Sequence, residues 1–573
     1  MYISEIVEIF NYRNLTGKTI YFNDNLNFFI GENNIGKTNI LELINIFLSV
    51  GKFNDTDFTD VLQPIRIKFK IKYSNEEIGF FEDNFDVDDS KTITLIAVQE
   101  TVDERITYYH DTPNPIKIKS SIIKRMNVLY YYAQRMPSKE VDFRKTSGSG
   151  KVLNYLIKHS MERSGTKETD IIKKTKLSSI VKDVNKHIKS LNSITGDNLS
   201  AYVDTDIDKL VCRLLGLGDE NGRELGSLGE GIQYAFNILL QIVEIIHSIK
   251  TSRKPEDFEE RLIRKDNQKL FPLFLILDEP EIHQHPYRQR SLIKKIDDLI
   301  NNRNQEFLLL LKELFDIDGL IGQIFIATHS PNILLNDYRQ FIRIYRSVKN
   351  NSNLEIVSGM NIGINNKLYK HMLHNFIYLK EAMFSKGIIF VEGDTENGAI
   401  PVFAERMKLD LDEMGVGIIK LDGADSVKRC MELYKEFGIK SIAIIDKDKQ
   451  KDYESEKDIY FTNAKDYEED VYDNFILYDY MKCCKELEIL KPFISILNNK
   501  GFSFDIEKFL DDPTNIQIDE NIQNEIMEEN KASQLEKLKK SKNAAKGALL
   551  AEYVSNIPPS FEMVIKKLVR EVK

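Results

Sequence analysis

Two groups of residues in this 573-residue chain have the types and spacing for phosphate chemistry. The first opens with the glycine-framed loop Gly31-Glu-Asn-Asn-Ile-Gly36-Lys37-Thr38. Its glycines let backbone N–H groups turn toward phosphate oxygens, while Lys37 supplies positive charge and Thr38 a hydroxyl for Mg²⁺. Asn33, Asn34 and Asn39 complete the set expected to surround the phosphates of ATP. Asp278 and Glu279 close the apolar run Phe271-Pro-Leu-Phe-Leu-Ile-Leu277. Asp278 is expected to hold the water shell of Mg²⁺ and Glu279 to polarise the attacking water. His329 follows a third apolar run, Gln323-Ile-Phe-Ile-Ala-Thr328, where a sensor of the γ-phosphate is expected. The second group is acidic: Glu392, then Asp446 and Asp448 in Ile445-Asp-Lys-Asp448. Carboxylate oxygens suit hard divalent cations such as Mg²⁺ or Mn²⁺. Two such ions can stabilise both the attacking and the leaving oxygen of a phosphodiester. Glu396 lies four residues after Glu392, so a helix start there would bring both toward one site.

The elements that must position these residues read as α/β. Leu26–Ile30 is a short buried strand, and from Asn39 the apolar residues Ile40, Leu41, Leu43, Ile44, Ile46 and Phe47 recur at helical spacing. Strand, glycine loop and helix are the context a phosphate-binding loop requires. Ile65–Tyr73 and Ile93–Val98 alternate like antiparallel strands. Ser147-Gly-Ser-Gly150 reads as a flexible joint, followed by a Lys-rich helical pattern over Val152–Leu191. The second half predicts a strand at Gly387–Val391, a helix at Glu396–Met407, a strand at Gly415–Lys420, a helix at Asp425–Phe437 and a strand at Ile442–Ile445. The acids then sit at the carboxyl ends of parallel strands, where open α/β sheets place their sites.

At this length the chain exceeds one ordinary core, so several domains are expected. A net charge of −10 argues against a histone-like binder but allows a local basic groove. The clearest basic run after the acidic motifs is Leu538-Lys-Lys-Ser-Lys-Asn-Ala-Ala-Lys546. The four cysteines, Cys212, Cys430, Cys483 and Cys484, form no CxxC pair, which fits a reducing cytoplasmic setting without a zinc or disulfide framework. The amino terminus lacks the pattern of a signal peptide. No apolar stretch reads as approaching the roughly 18 residues of a membrane span.

Asp278-Glu-Pro-Glu281-Ile-His283-Gln-His285-Pro286, with Ala327-Thr-His329-Ser330-Pro331, resembles the ABC-type heads of the SMC, RecF and OLD (overcoming lysogenisation defect) proteins. Asn11-Tyr12-Arg13-Asn14 resembles the turn after their first strand, which adds Arg13 to the nucleotide set. Leu225-Gly-Ser227-Leu-Gly229-Glu-Gly231-Ile-Gln233 resembles their signature loop in its OLD-like form. The resemblance implies that Ser227, Gly229 and Gly231 cap ATP held by a second head, hence a homodimer or homotetramer. Gln134 is the candidate glutamine of the site, with Gln99 its competitor. A helical insertion at about 148–205 is implied to support dimerisation. The second half resembles the Toprim nuclease domain of the OLD family. On that resemblance Asp466 and Glu468 serve the second metal, Glu469 and Asp470 are solvated, and Lys546 stands near the scissile phosphate.

The expected architecture is therefore α/β: an SMC/RecF-like ATPase head over 1–345 and a Rossmann-like Toprim domain with a basic helical tail over 380–573. The implied function is a metal-dependent DNA endonuclease gated by ATP, acting in anti-phage defence. The resemblance extends to members encoded beside a partner, the Gabija nuclease subunit and retron-associated effectors. Those would pair the chain with a UvrD-like helicase, or with a reverse transcriptase and its RNA/DNA. The competing readings are an SMC/RecF-like repair ATPase without nuclease activity and a Toprim primase or topoisomerase. The latter is opposed by the lack of a preceding zinc motif and of a distinct nucleophilic tyrosine.

Overall fold

The computed structural model describes residues 1–572 apart from 134–148, 166–173, 197, 204–214, 252–254, 283, 348–349, 364–378, 422, 500–505 and 512–517. Gln134, His283 and Cys212 lie outside the described residues. The chain forms two compact units, one of Met1–Ser347 with Ser352–Asn361 and one of Val348–Asn351 with Ile362–Lys573.

The first unit is built from two sheets that share one helix. Strands β1 (Tyr2–Phe10), β2 (Ile20–Tyr21), β4 (Ile65–Lys72), β5 (Thr92–Gln99), β6 (Thr107–His110) and β7 (Ile116–Ile118) form an antiparallel sheet in the order β2-β1-β4-β5-β6-β7. Ile65, Ile67, Phe69 and Ile71 are buried while the basic residues between them face outward to varying degrees, so period-2 patterning sets this face. The second sheet contains β3 (Leu26–Gly31), β8 (Val128–Tyr131), β11 (Ile263–Lys265), β12 (Gln268–Asp278), β13 (Gly319–Ala327), β14 (Phe341–Ser347) and β15 (Asn350–Ser358). Its order is β11-β12-β13-β3-β14-β15, with β8 alongside β12. The pairs β12/β13, β13/β3, β3/β14 and β12/β8 are parallel. Leu270–Leu277 is buried without interruption, as a strand covered on both faces must be.

Helix α1 (Lys37–Ser49) carries buried Ile40, Leu41, Leu43, Ile44, Phe47 and Leu48 on one broad face. A face this wide can be covered by more than one partner. Phe47 stacks on Phe69 of the antiparallel sheet at 3.7 Å between ring centroids, and the same core takes in Phe274, Ile276 and Phe325 of the parallel sheet.

The Lys-rich region resolves into helices α2 (Ser149–Ser164) and α3 (Lys174–Thr195), followed by the hairpin β9 (Leu199–Val203) and β10 (Leu215–Asp219). Helix α4 (Glu230–Lys250) corrects the membrane-span expectation. Its segment Gly231–Lys250 is long and apolar enough to cross a bilayer, and 72% of that window is buried within the fold. Its apolar run is interrupted only by uncharged polar residues and Glu244, which is the composition of a core helix packed on several sides. Helices α5 (Pro286–Ile300) and α6 (Gln305–Phe315) connect β12 to β13.

In the second unit β16 (Gly387–Val391), β17 (Val416–Lys420), β18 (Lys440–Ile445) and β19 (Ile459–Phe461) form an all-parallel sheet in the order β17-β16-β18-β19. Helices α7 (Asp394–Arg406) and α8 (Ala424–Glu436) occupy the expected crossovers. Helix α7 begins two residues earlier than expected because Gly393 takes the N-cap. That start puts Glu396 in the first turn, where a carboxylate faces the helix dipole. Later helices add to the core, among them α9 (Tyr467–Tyr472), α10 (Glu520–Leu538), α11 (Ala544–Tyr553) and α12 (Pro559–Val572).

Candidate functional site

The nucleotide loop joins β3 to α1. Gly31 and Gly36 have φ of 152° and 112°, and Asn34 has 56°, so the loop curls through left-handed backbone. A Cβ on Gly31 would meet Ile344 O at 2.2 Å, and one on Gly36 would meet Asn14 Nδ2 at 2.8 Å. Lys37 is buried, and its ammonium donates to Gly31 O at 2.9 Å and Glu32 O at 2.7 Å. Burial pulls its pKa down to about 8 against the opposing pull of Glu279 and Asp278. Thr38 Oγ1 lies 3.5 Å from both Asp278 carboxylate oxygens. Burial and then Glu279 raise Asp278 to about 6. A half-buried carboxylate facing a hydroxyl at this distance is chemically suited to a hydrated divalent cation.

Glu279 has φ of 49° and its N–H donates to Ala327 O at 2.9 Å, which turns the carboxylate at the strand end toward His329. His329 Nε2 lies 3.5 Å from Glu279 Oε1. Glu281 anchors the histidine loop, although sequence reasoning gave it no role. Its Oε1 accepts from Thr328 Oγ1 at 2.7 Å and from His329 N at 2.8 Å. The signal was in the motif, since Glu281 is the third acid of Asp278-Glu-Pro-Glu281. Gln284 Nε2 likewise donates to Gly231 O at 2.6 Å, linking the segment after β12 to the start of α4.

Three expected nucleotide residues stand differently. Arg13 is held between Glu42 and Asp57, each at 2.6 Å, and donates to Asn39 Oδ1 at 2.6 Å. Asn39 Nδ2 in turn donates to Asn14 Oδ1 at 2.8 Å, and Asn14 Nδ2 to Ile35 O at 3.0 Å. Arg13 and Asn39 therefore brace the loop through Asn14, a residue missed in the sequence. Gln99 is fully buried and clamps the backbone of Phe53, accepting from its N at 2.8 Å and donating to its O at 2.9 Å. That use of both amide ends removes it as the site's glutamine. Ser227 is exposed and donates to Glu224 O at 2.7 Å, while Gly229 caps α4.

In the second unit the acids gather at the carboxyl edge of the sheet. Glu392 follows β16, Asp446 follows β18, Glu396 rides on α7, and Asp466 and Glu468 open α9. Asp446 is raised to about 8 by burial, then by Glu396, Glu392 and Asp466. Glu396 is raised by burial, with Glu468 adding to it. These mutual effects place all five carboxylates in one electrostatic cluster. Glu392 Oε2, Asp446 Oδ1 and Glu468 Oε1 are buried with no hydrogen-bond partner among the described residues. Buried carboxylate oxygens left unpaired, in a group of like charge, fit a divalent cation. Glu392, Glu396, Asp446, Asp466 and Glu468 would hold it. Asp448 is exposed on the turn Lys447–Lys449 and stands outside this buried group.

The basic tail meets the same acids. Lys539 pairs with Asp466 and Lys542 with Glu468, both at 2.6 Å. Lys546 donates to Lys537 O at 3.1 Å and Lys540 O at 2.7 Å, so its ammonium caps the carboxyl end of α10. Lys539 and Lys542, rather than Lys546, are the lysines that contact carboxylates of the cluster. Asp470, expected to be solvated, is buried: its Oδ2 accepts from Asn463 N at 2.9 Å and Ser560 Oγ at 2.7 Å. Glu469 pairs with Lys531 at 3.2 Å. Both serve the fold around the cluster.

A family model described as "AAA ATPase domain" matches residues 1–155 and 106–334, together more than half of the 573. A model described as "Overcoming lysogenization defect protein-like, TOPRIM domain" matches residues 383–448. No curated protein matches the chain in sequence. Among solved structures the chain is similar to the Smc head domain derived from Pyrococcus furiosus, at 14% identity over 65% of this chain and 99% of that one, with a TM-score of 0.35. It is also similar to the C-terminal region of the Burkholderia pseudomallei OLD protein, at 17% identity over 33% of this chain and 100% of that one, TM-score 0.21. The corresponding region of the Xanthomonas campestris pv. campestris OLD protein gives 19%, 34%, 94% and 0.21. Residues 1–334 contain the phosphate-binding loop with β3, β12 and β13, and residues 383–448 contain β16, β17 and β18. The chain belongs to the AAA ATPase domain family over residues 1–334 and joins to it a TOPRIM domain of the OLD-like kind.

Proposed function

We propose that this protein is an ATP-binding and ATP-hydrolysing, divalent-metal-dependent DNA endonuclease. The observation that carries the reading is the group of five carboxylates, three of them with buried unpaired oxygens, in the same chain as a complete phosphate-binding loop. Mg²⁺ or Mn²⁺ held there would supply Lewis-acid stabilisation of a phosphodiester. Glu392, Glu396, Asp446, Asp466 and Glu468 orient it, and Lys539 and Lys542 balance their charge. Lys37 and Thr38 bind the phosphates of ATP, Asp278 serves its metal, and Glu279 with His329 positions the water that attacks it. The basic residues from Lys537 to Lys542 offer backbone contacts to DNA.

Exposed Ser227 and Gly229 are available to a second copy of the chain, which supports a homodimer or homotetramer whose ATP state gates cleavage. In this reading the protein acts in the cytoplasm in anti-phage defence, with a UvrD-like helicase or a reverse transcriptase as partner. The test is cleavage of supercoiled plasmid with Mg²⁺ or Mn²⁺, with and without ATP, beside Asp446→Ala. Cleavage that vanishes in the variant supports the nuclease. ATP hydrolysis without cleavage in any lane favours a DNA-repair ATPase.

A further inference from the structure

Away from both phosphate sites, three side chains from three helices converge in the ATPase unit. His159 lies on α2, His187 on α3 and Glu313 on α6. One ligand-capable atom of each lies within 4.8 Å of those of the other two. His187 is buried, and its Nδ1 stands 3.8 Å from Glu313 Oε2. The two imidazoles meet nearly edge to face, 5.8 Å between centroids and 72° between planes. His159 Nδ1 is buried with no hydrogen-bond partner among the described residues. Such an imidazole nitrogen ordinarily finds a donor, an acceptor or a metal.

We propose that His159, His187 and Glu313 form a binding site for a first-row transition ion of the zinc class, which fastens the inserted helices α2 and α3 to α6. Two imidazoles and one carboxylate are a ligand set for Zn²⁺ with a fourth position left for water. Ligands of a tetrahedral zinc ion lie about 3.3 Å apart for bonds near 2.0 Å. The 3.8 Å between His187 and Glu313 is therefore closed by a small rotamer shift. The two carboxylate oxygens divide their work: Arg163 binds Oε1, and Oε2 faces the histidines. Lys186, 4.0 Å from Oε2, is exposed and long enough to turn into solvent when the ion enters. Tyr155 backs His159 at 6.0 Å between centroids and donates to Leu314 O at 3.1 Å, so the ring sits against the residue after Glu313. Imidazole nitrogens separate this site from the all-oxygen clusters that take Mg²⁺.

The test is titration of the full-length, chelator-treated protein with Co²⁺ in excess Mg²⁺, read by the visible ligand-field bands of tetrahedral Co²⁺. One equivalent is expected to bind and to be displaced by Zn²⁺. The band is expected to persist in Asp446→Ala and to lose at least ~10-fold in affinity in His159→Gln and His187→Gln. A second measurement uses Glu313→Gln, a change on a partly exposed side chain: Zn²⁺ is expected to raise the melting temperature of the wild type and not of this variant. Absence of a tetrahedral band in the wild type, a band unchanged in both histidine variants, or an equal Zn²⁺ effect on wild type and Glu313→Gln would overturn the proposal.

Discussion

Asp446 shows what a side chain's surroundings do to its chemistry. Burial and three neighbouring acids raise it from an ordinary 3.8 to about 8. A raised carboxyl favours the fold where it is protonated, and that contribution is lost as pH climbs from the unfolded value through the folded one. In metal-free protein the melting temperature is therefore expected to fall between about pH 4 and pH 8. Asp446→Asn should flatten part of that slope, and Mg²⁺ should restore stability at the alkaline end. Coincident pH–stability curves for wild type and variant would sink this account. The lysines give a second residue-scale prediction. Lys542 touches Glu468, whereas Lys546 caps α10. Lys542→Met is expected to lower cleavage about 10–100-fold and, by leaving buried Glu468 without its cation, to lower the melting temperature as well, and Lys546→Met to keep cleavage and lower stability by about 1 kcal/mol, the scale of a lost helix cap. Plasmid cleavage and thermal melts on both variants decide it, and the reverse pattern would return the chemistry to Lys546. Glu392 and Asp446 were legible in sequence because each follows an apolar run, and a strand end fixes where such a residue stands; Glu396 was read from its spacing at a helix start, and Asp466 and Glu468 from the family resemblance. Arg13, Gln99 and Asp470 were not. Their partners, Glu42 and Asp57, the Phe53 backbone, and Ser560, come from distant parts of the chain, and residue type carries no record of a tertiary partner.

At the scale of elements, two glycines inside helices decide how the cluster is assembled. A glycine in a helix interior costs roughly 0.5–1 kcal/mol relative to alanine, so each needs a compensating reason. A Cβ on Gly398 of α7 would meet Ala544 O at 1.9 Å, and one on Gly547 of α11 would meet Thr395 O at 1.9 Å. The helices thus touch backbone to backbone at the turn that bears Glu396, with Lys542 just before α11. Tyr467 seals the contact by donating to Gly547 O at 2.9 Å. Gly547→Ala is expected to push α11 off α7, to lower cleavage by at least ~10-fold, and to leave ATP hydrolysis in place. Assaying both activities on one preparation separates this from general unfolding; wild-type cleavage would show that the close approach is dispensable. The crossover strands and helices were readable because their apolar periods are strong. The Gly398–Gly547 contact was not, because each glycine looks like an isolated weak point until the other helix is laid across it.

For the whole molecule the question is whether the two chemistries are joined. Each unit has its own core and its own carboxylates. Independence and gating make different forecasts for the same pair of variants. Glu392→Ala removes a carboxylate whose buried Oε2 has no hydrogen-bond partner among the described residues, and is expected to abolish plasmid cleavage while sparing ATP turnover. Lys37→Ala removes the buried ammonium of the phosphate loop, and is expected to lose ATP binding with the fold intact. If ATP only occupies its own unit, cleavage by Lys37→Ala matches the wild type with and without nucleotide. If ATP gates the nuclease, Lys37→Ala is fixed at one rate whatever the nucleotide, and the wild type moves toward or away from that rate as ATP is added. The direction of that movement gives the sign of the control, which neither motif encodes. A wild-type cleavage rate that ignores ATP over its whole binding range would separate the two activities and leave the gate without support.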